Sequence, residues 1–87
     1  MENIKPIVFS NHALIQCDER GASISEVEQT IKSGNQFPAK GNRFQYKQNF
    51  QFNSFWQDQY YSIKQVAPVV VEETDKIVVI TVYTFYF

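Results

Sequence analysis

"RFQYKQNFQF", residues 43–52, places Phe44, Tyr46, Phe50 and Phe52 on one side and Arg43, Gln45, Lys47, Asn49 and Gln51 on the other. Side chains alternate between two faces only in a strand, so this period of two predicts a half-buried strand. Towards the N-terminus the pattern changes. In "ASISEVEQTIKSG", residues 22–34, Ile24, Val27 and Ile31 recur at i, i+3 and i+7, the stripe of an amphipathic helix. Ser23 and Glu26 form the S-x-x-E capping box that opens it, and Gly34 closes it. One step further back, Ser10 can cap a helix over residues 11–20 that stops at Gly21, a residue suited to the left-handed position after a helix. "PIVF", residues 6–9, is a short strand or an extended lead-in, with Pro6 favouring its edge or start.

Towards the C-terminus, "NSFWQDQ" is expected to connect two strands, and "NQFPAKGN" to form a turn ahead of the alternating stretch. "YYSIKQVAPVVV" is a third strand, in which Pro68 marks a bulge or an edge. "EETD" turns the chain into "KIVVITVYTFYF", a last strand apolar on both faces. Helices first and strands in a run afterwards predict an α+β fold, with two N-terminal helices packed on a three- to four-stranded antiparallel sheet. Residues 1–87 are expected to form a single α+β domain, without repeats or linkers. The apolar end of the last strand is either a central strand covered by helices and loops or a self-association surface, the latter giving a homodimer through the sheet.

Composition narrows the class. The chain has 87 residues, 44% hydrophobic and 16% aromatic, which is too apolar for disorder. One cysteine, Cys17, cannot form an internal disulfide, so a reducing cytoplasmic home is expected. The start lacks the basic and apolar regions of a signal peptide, and the longest apolar run is about half the ~20 residues of a spanning helix, so no membrane partner is expected. A net charge of −1 and a pI near 5.7 exclude coating of nucleic acid by bulk positive charge, though not a local basic site. One His and one Cys fall far short of a metal-ligand set, and no phosphate-binding glycine loop is present; neither metal nor cofactor is expected. Cys17 falls with Ala13 and Leu14 on the expected buried face of the first helix and is read as a small buried hydrophobe.

The remaining constellation is a helix face. His12, Gln16 and Arg20 are spaced i, i+4 and i+8 along the first helix. His12 lies in its first turn, where free N–H groups and the dipole favour an anion such as phosphate. An imidazole beside a phosphate is what a general base for RNA cleavage needs. The alternative, which the pattern by itself favours, is a polar residue that merely opens a helix. Arg43 and Lys47 occupy the polar face of the alternating strand. Lys64, Thr81 and Tyr83 share a sheet face if the "ETDK" turn is centred between Thr74 and Asp75; a one-residue slip would put Lys64 on the opposite face.

Ser10, His12 and Ala13, then Arg20–Gly21, Ile24, Ser25 and Val27, and finally Val79, Thr81 and Tyr83 resemble the pattern of a small bacterial family of unknown function, DUF4258. "IKQVAPVVVEE" and "TFYF" look like a cyanobacterial branch of it. The resemblance implies a RelE/barnase-like plan, since that family has been grouped with barnase, EndoU, colicin and RelE-type nucleases, many of them toxins. It implies a metal-free RNase-like toxin of a toxin–antitoxin system, with RNA as substrate and an antitoxin as partner. His12, Arg20, Thr81 and Tyr83 would then be catalytic, and Gln16, Arg43 and Lys64 would bind substrate. Where relatives carry Arg in mid-helix this chain has Gln16, which bonds phosphate without charge. The alternative is an inactive binding or assembly module on the same scaffold.

Overall fold

The computed structural model describes residues 5–87. Its elements run β1 (Ile7–Phe9), α1 (Asn11–Arg20), α2 (Ile24–Ser33), β2 (Asn35–Pro38), β3 (Arg43–Trp56), β4 (Gln59–Glu72) and β5 (Ile77–Tyr86). They form one five-stranded sheet in the order β1-β5-β4-β3-β2. β1 lies parallel to β5, and the other neighbours are antiparallel. This corrects the expected three- to four-stranded antiparallel sheet. The sheet is mixed and gains a strand at each edge. "PIVF" pairs with a strand about 70 residues later, Ile7 opposite Ile77, and "NQFP", expected to be a turn, pairs with β3 from Asn35–Lys47 to Pro38–Phe44.

Local punctuation sets both helices. The Ala13 N–H donates to Ser10 Oγ, and α1 ends at Gly21 with φ 76°. At α2 the capping box is complete, Glu26 N–H donating to Ser23 Oγ and Ser23 N–H to Glu26 Oε1. Gly21 is needed twice, for its positive φ and for space. A Cβ there would lie 2.8 Å from the Trp56 ring and 2.6 Å from the Tyr86 hydroxyl.

Both helices pack on one sheet face. Ala13 and Cys17 of α1 and Val27 and Ile31 of α2 close on Val66, Val70, Val79 and Val82, flanked by Phe44, Tyr46 and Phe50. Leu14, expected in this core, is 39% exposed, and Gln16 takes the inward place beside Cys17. β3 and β4 run beyond the helices as a long hairpin. "NSFWQDQ" is not an open connection, because the strands continue to a two-residue turn, Gln57–Asp58, both at positive φ. The hairpin folds back so that Trp56 stacks on Tyr86 at 5.1 Å, above Gly21.

Two irregularities decide which side chains share a face. Pro68 sits buried in β4, and beside it the β4–β5 register shifts from Val70–Val79 to Val69–Thr81, leaving Ile80 as an extra residue in β5. At the far end, the Ser62 and Ile63 N–H groups both donate to the Phe87 carbonyl.

Candidate functional site

β1 covers β5 only as far as Val79, where the Ser10 N–H closes the pairing on the Val79 carbonyl. Beyond it the outer edge of β5 would leave backbone groups unpaired, which is costly where water is excluded. α1 fills that gap with side chains. The Val82 N–H donates to Gln16 Oε1 at 2.8 Å, and Arg20 Nη1 donates to the Val82 carbonyl at 2.8 Å. Gln16 and Arg20 thus stand in for a missing strand. In return, the Thr84 and Tyr86 hydroxyls donate to the Arg20 carbonyl, satisfying an orphan at the helix C-terminus. The Arg20 guanidinium continues over the edge onto the Tyr83 ring, 5.3 Å from its centroid.

Lys64 is also tied into the fold. Its ammonium, on a buried side chain, donates to the Gly21 carbonyl and to Glu26 Oε1, both at 2.8 Å, and lies over Phe52. It therefore joins the end of α1 to the capping box of α2. Lys64 pairs with Tyr86, on the helix side, whereas Thr81 pairs with Val69 and Tyr83 with Ala67, on the other side. The expected grouping of Lys64 with Thr81 and Tyr83 is overturned by the Ile80 bulge. The turn itself lies where expected, with Glu72 opposite Ile77.

His12 is exposed in the first turn of α1, and among the described residues its ring has no hydrogen-bond partner. Eight residues separate it from Arg20, about 12 Å along the helix. The stripe is not a common face. Residues four apart are offset by about 40°, which turns Gln16 inward and leaves His12 in solvent. The structure brings Gln16, Arg20 and Tyr83 together around Val82, and leaves His12, Lys64 and Arg43 at three separate places. Cys17 is a buried free thiol, and burial pushes it above the ordinary thiol range.

The second face of the sheet has no described element packed on it. One row crosses it as Phe37, Gln45, Val69 and Thr81, and another as Asn49, Gln65 and Phe85. Arg43 and Lys47 share it by alternation along β3. Phe37, Tyr83 and Phe85 are 41–45% exposed, and Tyr83 stacks with Phe85 at 6.4 Å. The described carboxylates lie on the two helices and around the two hairpin turns, so none shares this face with the two cations. Phe37 and Phe85 lie outside the candidates that the sequence offers. The alternation in "TVYTFYF", odd positions outward after the bulge, carries the signal for Phe85.

A family model described as "Domain of unknown function (DUF4258)" matches residues 9–84, from the end of β1 almost to the end of β5. The chain belongs to the DUF4258 family. The matched span contains His12, Gln16, Arg20, Lys64 and Tyr83, so the α1–β5 clasp and the open face apart from Phe85 lie inside the DUF4258 domain. No curated protein and no solved structure matches the chain. No helix among the described residues is long and apolar enough to cross a membrane.

Proposed function

We propose that this DUF4258 domain is a non-catalytic binding module that holds single-stranded RNA on the open face of its sheet. The observation that carries the reading is the composition of that face. Exposed Phe37, Tyr83 and Phe85 are interleaved with Arg43 and Lys47 and with the amides of Gln45, Asn49 and Gln65, and no described carboxylate lies among them. Aromatic faces stack bases at about 1–3 kcal/mol each, cations follow phosphates, and amides meet base edges and 2′-hydroxyls. The occupied state of Gln16, Arg20 and Lys64 supports binding over cleavage, because each is held by the fold rather than aimed at a shared point. A reducing cytoplasmic setting suits a module whose one cysteine is a buried thiol.

Fluorescence anisotropy with a labelled single-stranded RNA of about 12 nucleotides tests this. Intact protein should bind without shortening the RNA, and Tyr83→Ala with Phe85→Ala should weaken binding by at least about tenfold. With two or three phosphate contacts, the salt slope should be roughly −1.5 to −2. No binding would sink the proposal. RNA products abolished by His12→Ala would replace it with the toxin reading. A stable dimer that buries Tyr83 and Phe85 would assign the face to a second copy of the chain.

A further inference from the structure

The hairpin that β3 and β4 carry past the helices has two sides, and the fold uses only one of them. The Phe52 and Trp56 rings meet the Tyr86 ring at 5.3 and 5.1 Å, so both stand on the helix side. Alternation along β3 then turns Gln51, Asn53 and Phe55 to the open side. Tyr60 pairs with Phe55, and their rings meet edge to face at 5.6 Å. Phe87 follows Tyr86 and so points to the same side, where it bonds Ile63, the residue opposite Gln51.

These rings are left in water. Phe55 is 68% exposed, Phe87 61% and Tyr60 49%. Apolar rings gathered on one side, rather than scattered singly, mark a surface that meets a partner. Continuity and charge identify the partner. Tyr83, Phe85 and Phe87 stand at every second residue from the open face to the hairpin, and the amides of Gln65, Gln51 and Asn53 accompany them. The Tyr60 hydroxyl donates to Asn53 Oδ1 at 3.4 Å, which leaves Asn53 Nδ2 as a free donor. The composition is that of the open face without its cations, since residues 51–63 carry a single charge, Asp58 in the turn. One end of the track, at Arg43 and Lys47, can grip phosphates. The other end can only stack bases, whose faces are uncharged.

We infer that the distal hairpin is a second, charge-free stacking site for the same RNA strand, with a base laid against the Phe55–Tyr60 pair. This rests on the RNA-binding reading, and it sets the length of strand that the module holds. Tyr83 to Phe55 spans about 27 Å along the strands, roughly eight nucleotides at the 3.4 Å advance of a stacked strand. A tetranucleotide drawn to the cations stops short of the hairpin, and a 12-mer reaches it.

The test compares a 12-nucleotide and a 4-nucleotide single-stranded RNA on the full chain and on Phe55→Thr with Tyr60→Thr, a pair of changes that keeps strand-forming residues in the hairpin. The variant should bind the 12-mer about fivefold or more weakly with the salt slope unchanged, because rings and not cations are lost. Its affinity for the 4-mer should equal the parent's. In ¹H–¹⁵N spectra of the parent, the 12-mer should shift the backbone amides of residues 55–60 and the 4-mer should not, a result that needs no variant to fold. Equal 12-mer binding by variant and parent, or amides 55–60 that do not move, overturns the inference. So does a dimer that the variant abolishes while RNA affinity holds, since the rings would then belong to a second copy of the chain. A 12-mer that needs Tyr83 and Phe85 but not the hairpin removes the second site and leaves the RNA reading standing. One that needs the hairpin but not Tyr83 and Phe85 keeps this site and removes the open-face reading, and no binding of the 12-mer removes both.

Discussion

The two faces of the sheet treat polar side chains in opposite ways. On the helix side nearly every such group is closed into a bond with the backbone. Gln16 and Arg20 clasp the Val82 peptide, Thr84 and Tyr86 cap the end of α1, and Lys64 binds Gly21 and Glu26. On the open side Arg43, Lys47 and Thr81 stand among exposed aromatic rings. Cations of the same chemical type therefore do different work. Those near the helices substitute for a strand and for helix caps, and those across the sheet remain available to a partner. A titratable residue placed in a functional stripe by spacing alone can belong to either set. The deciding fact is whether a backbone group nearby lacks a partner.

The largest effect that would break this contrast is at position 16. Gln16 accepts from a buried N–H, and arginine has no acceptor. Gln16→Arg should leave the Val82 N–H unpaired and bring a second guanidinium beside Arg20, a loss of about 3 kcal/mol or more in urea unfolding. Gln16→Glu keeps an acceptor oxygen in place and should lose clearly less. Equal losses from the two variants would mean that the clasp on β5 contributes little.

Much of the helix half was legible because its signals are local. Ser10, Gly21, the Ser23–Glu26 box and Gly34 act within a turn or two of themselves, and each is found in its expected role. The alternation of residues 43–52 was legible for the same reason. The two edge strands were not. β1 is three residues long and parallel to a distant partner, so nothing near it in sequence announces the pairing, and β2 reads as turn because Pro38 ends it and Gly41 follows shortly after. The candidate site was legible only in its members. Lys64 changes face through one bulged residue, Ile80, although the turn lies where the sequence places it. Gln16 turned inward because an apolar count assigns Leu14 to the core, whereas the open edge of β5 needs an acceptor at that place more than it needs a methyl group.

A smaller effect separates the faces by pH. On the helix side burial raises Cys17 above its ordinary 9.0. Tyr86 is raised above 10.0, mainly by burial and further by Glu26, against a lowering hydrogen bond with Thr84. Both are acids that are neutral when protonated, and the folded state holds their protons more tightly than the unfolded chain does. Their contribution is complete below the unfolded values and is lost as pH rises through the folded ones. Stability should therefore begin to fall above about pH 9. Cys17→Ala should remove the first part of that fall and leave the part that begins near pH 10. A profile unchanged by Cys17→Ala would show that the thiol does not titrate with unfolding.

The smallest expected effect is at His12, which lies on neither face. It is exposed, on the first turn of α1, and makes none of the bonds that hold that helix to β5. Exposed positions away from caps and buried pairs change stability by about 0.5 kcal/mol or less. The cap beside it uses Ser10, which His12→Ala leaves intact. The variant should match the parent in thermal midpoint, and in RNA affinity if RNA is held by Tyr83, Phe85 and Lys47 across the sheet. Lost affinity with stability unchanged would extend the binding surface around the α1 edge, through Arg20, whose guanidinium already touches both the Val82 carbonyl and the Tyr83 ring. Lost stability would instead make His12 a structural residue of the helix mouth, and the contrast would then lie between α1 as a whole and the open sheet.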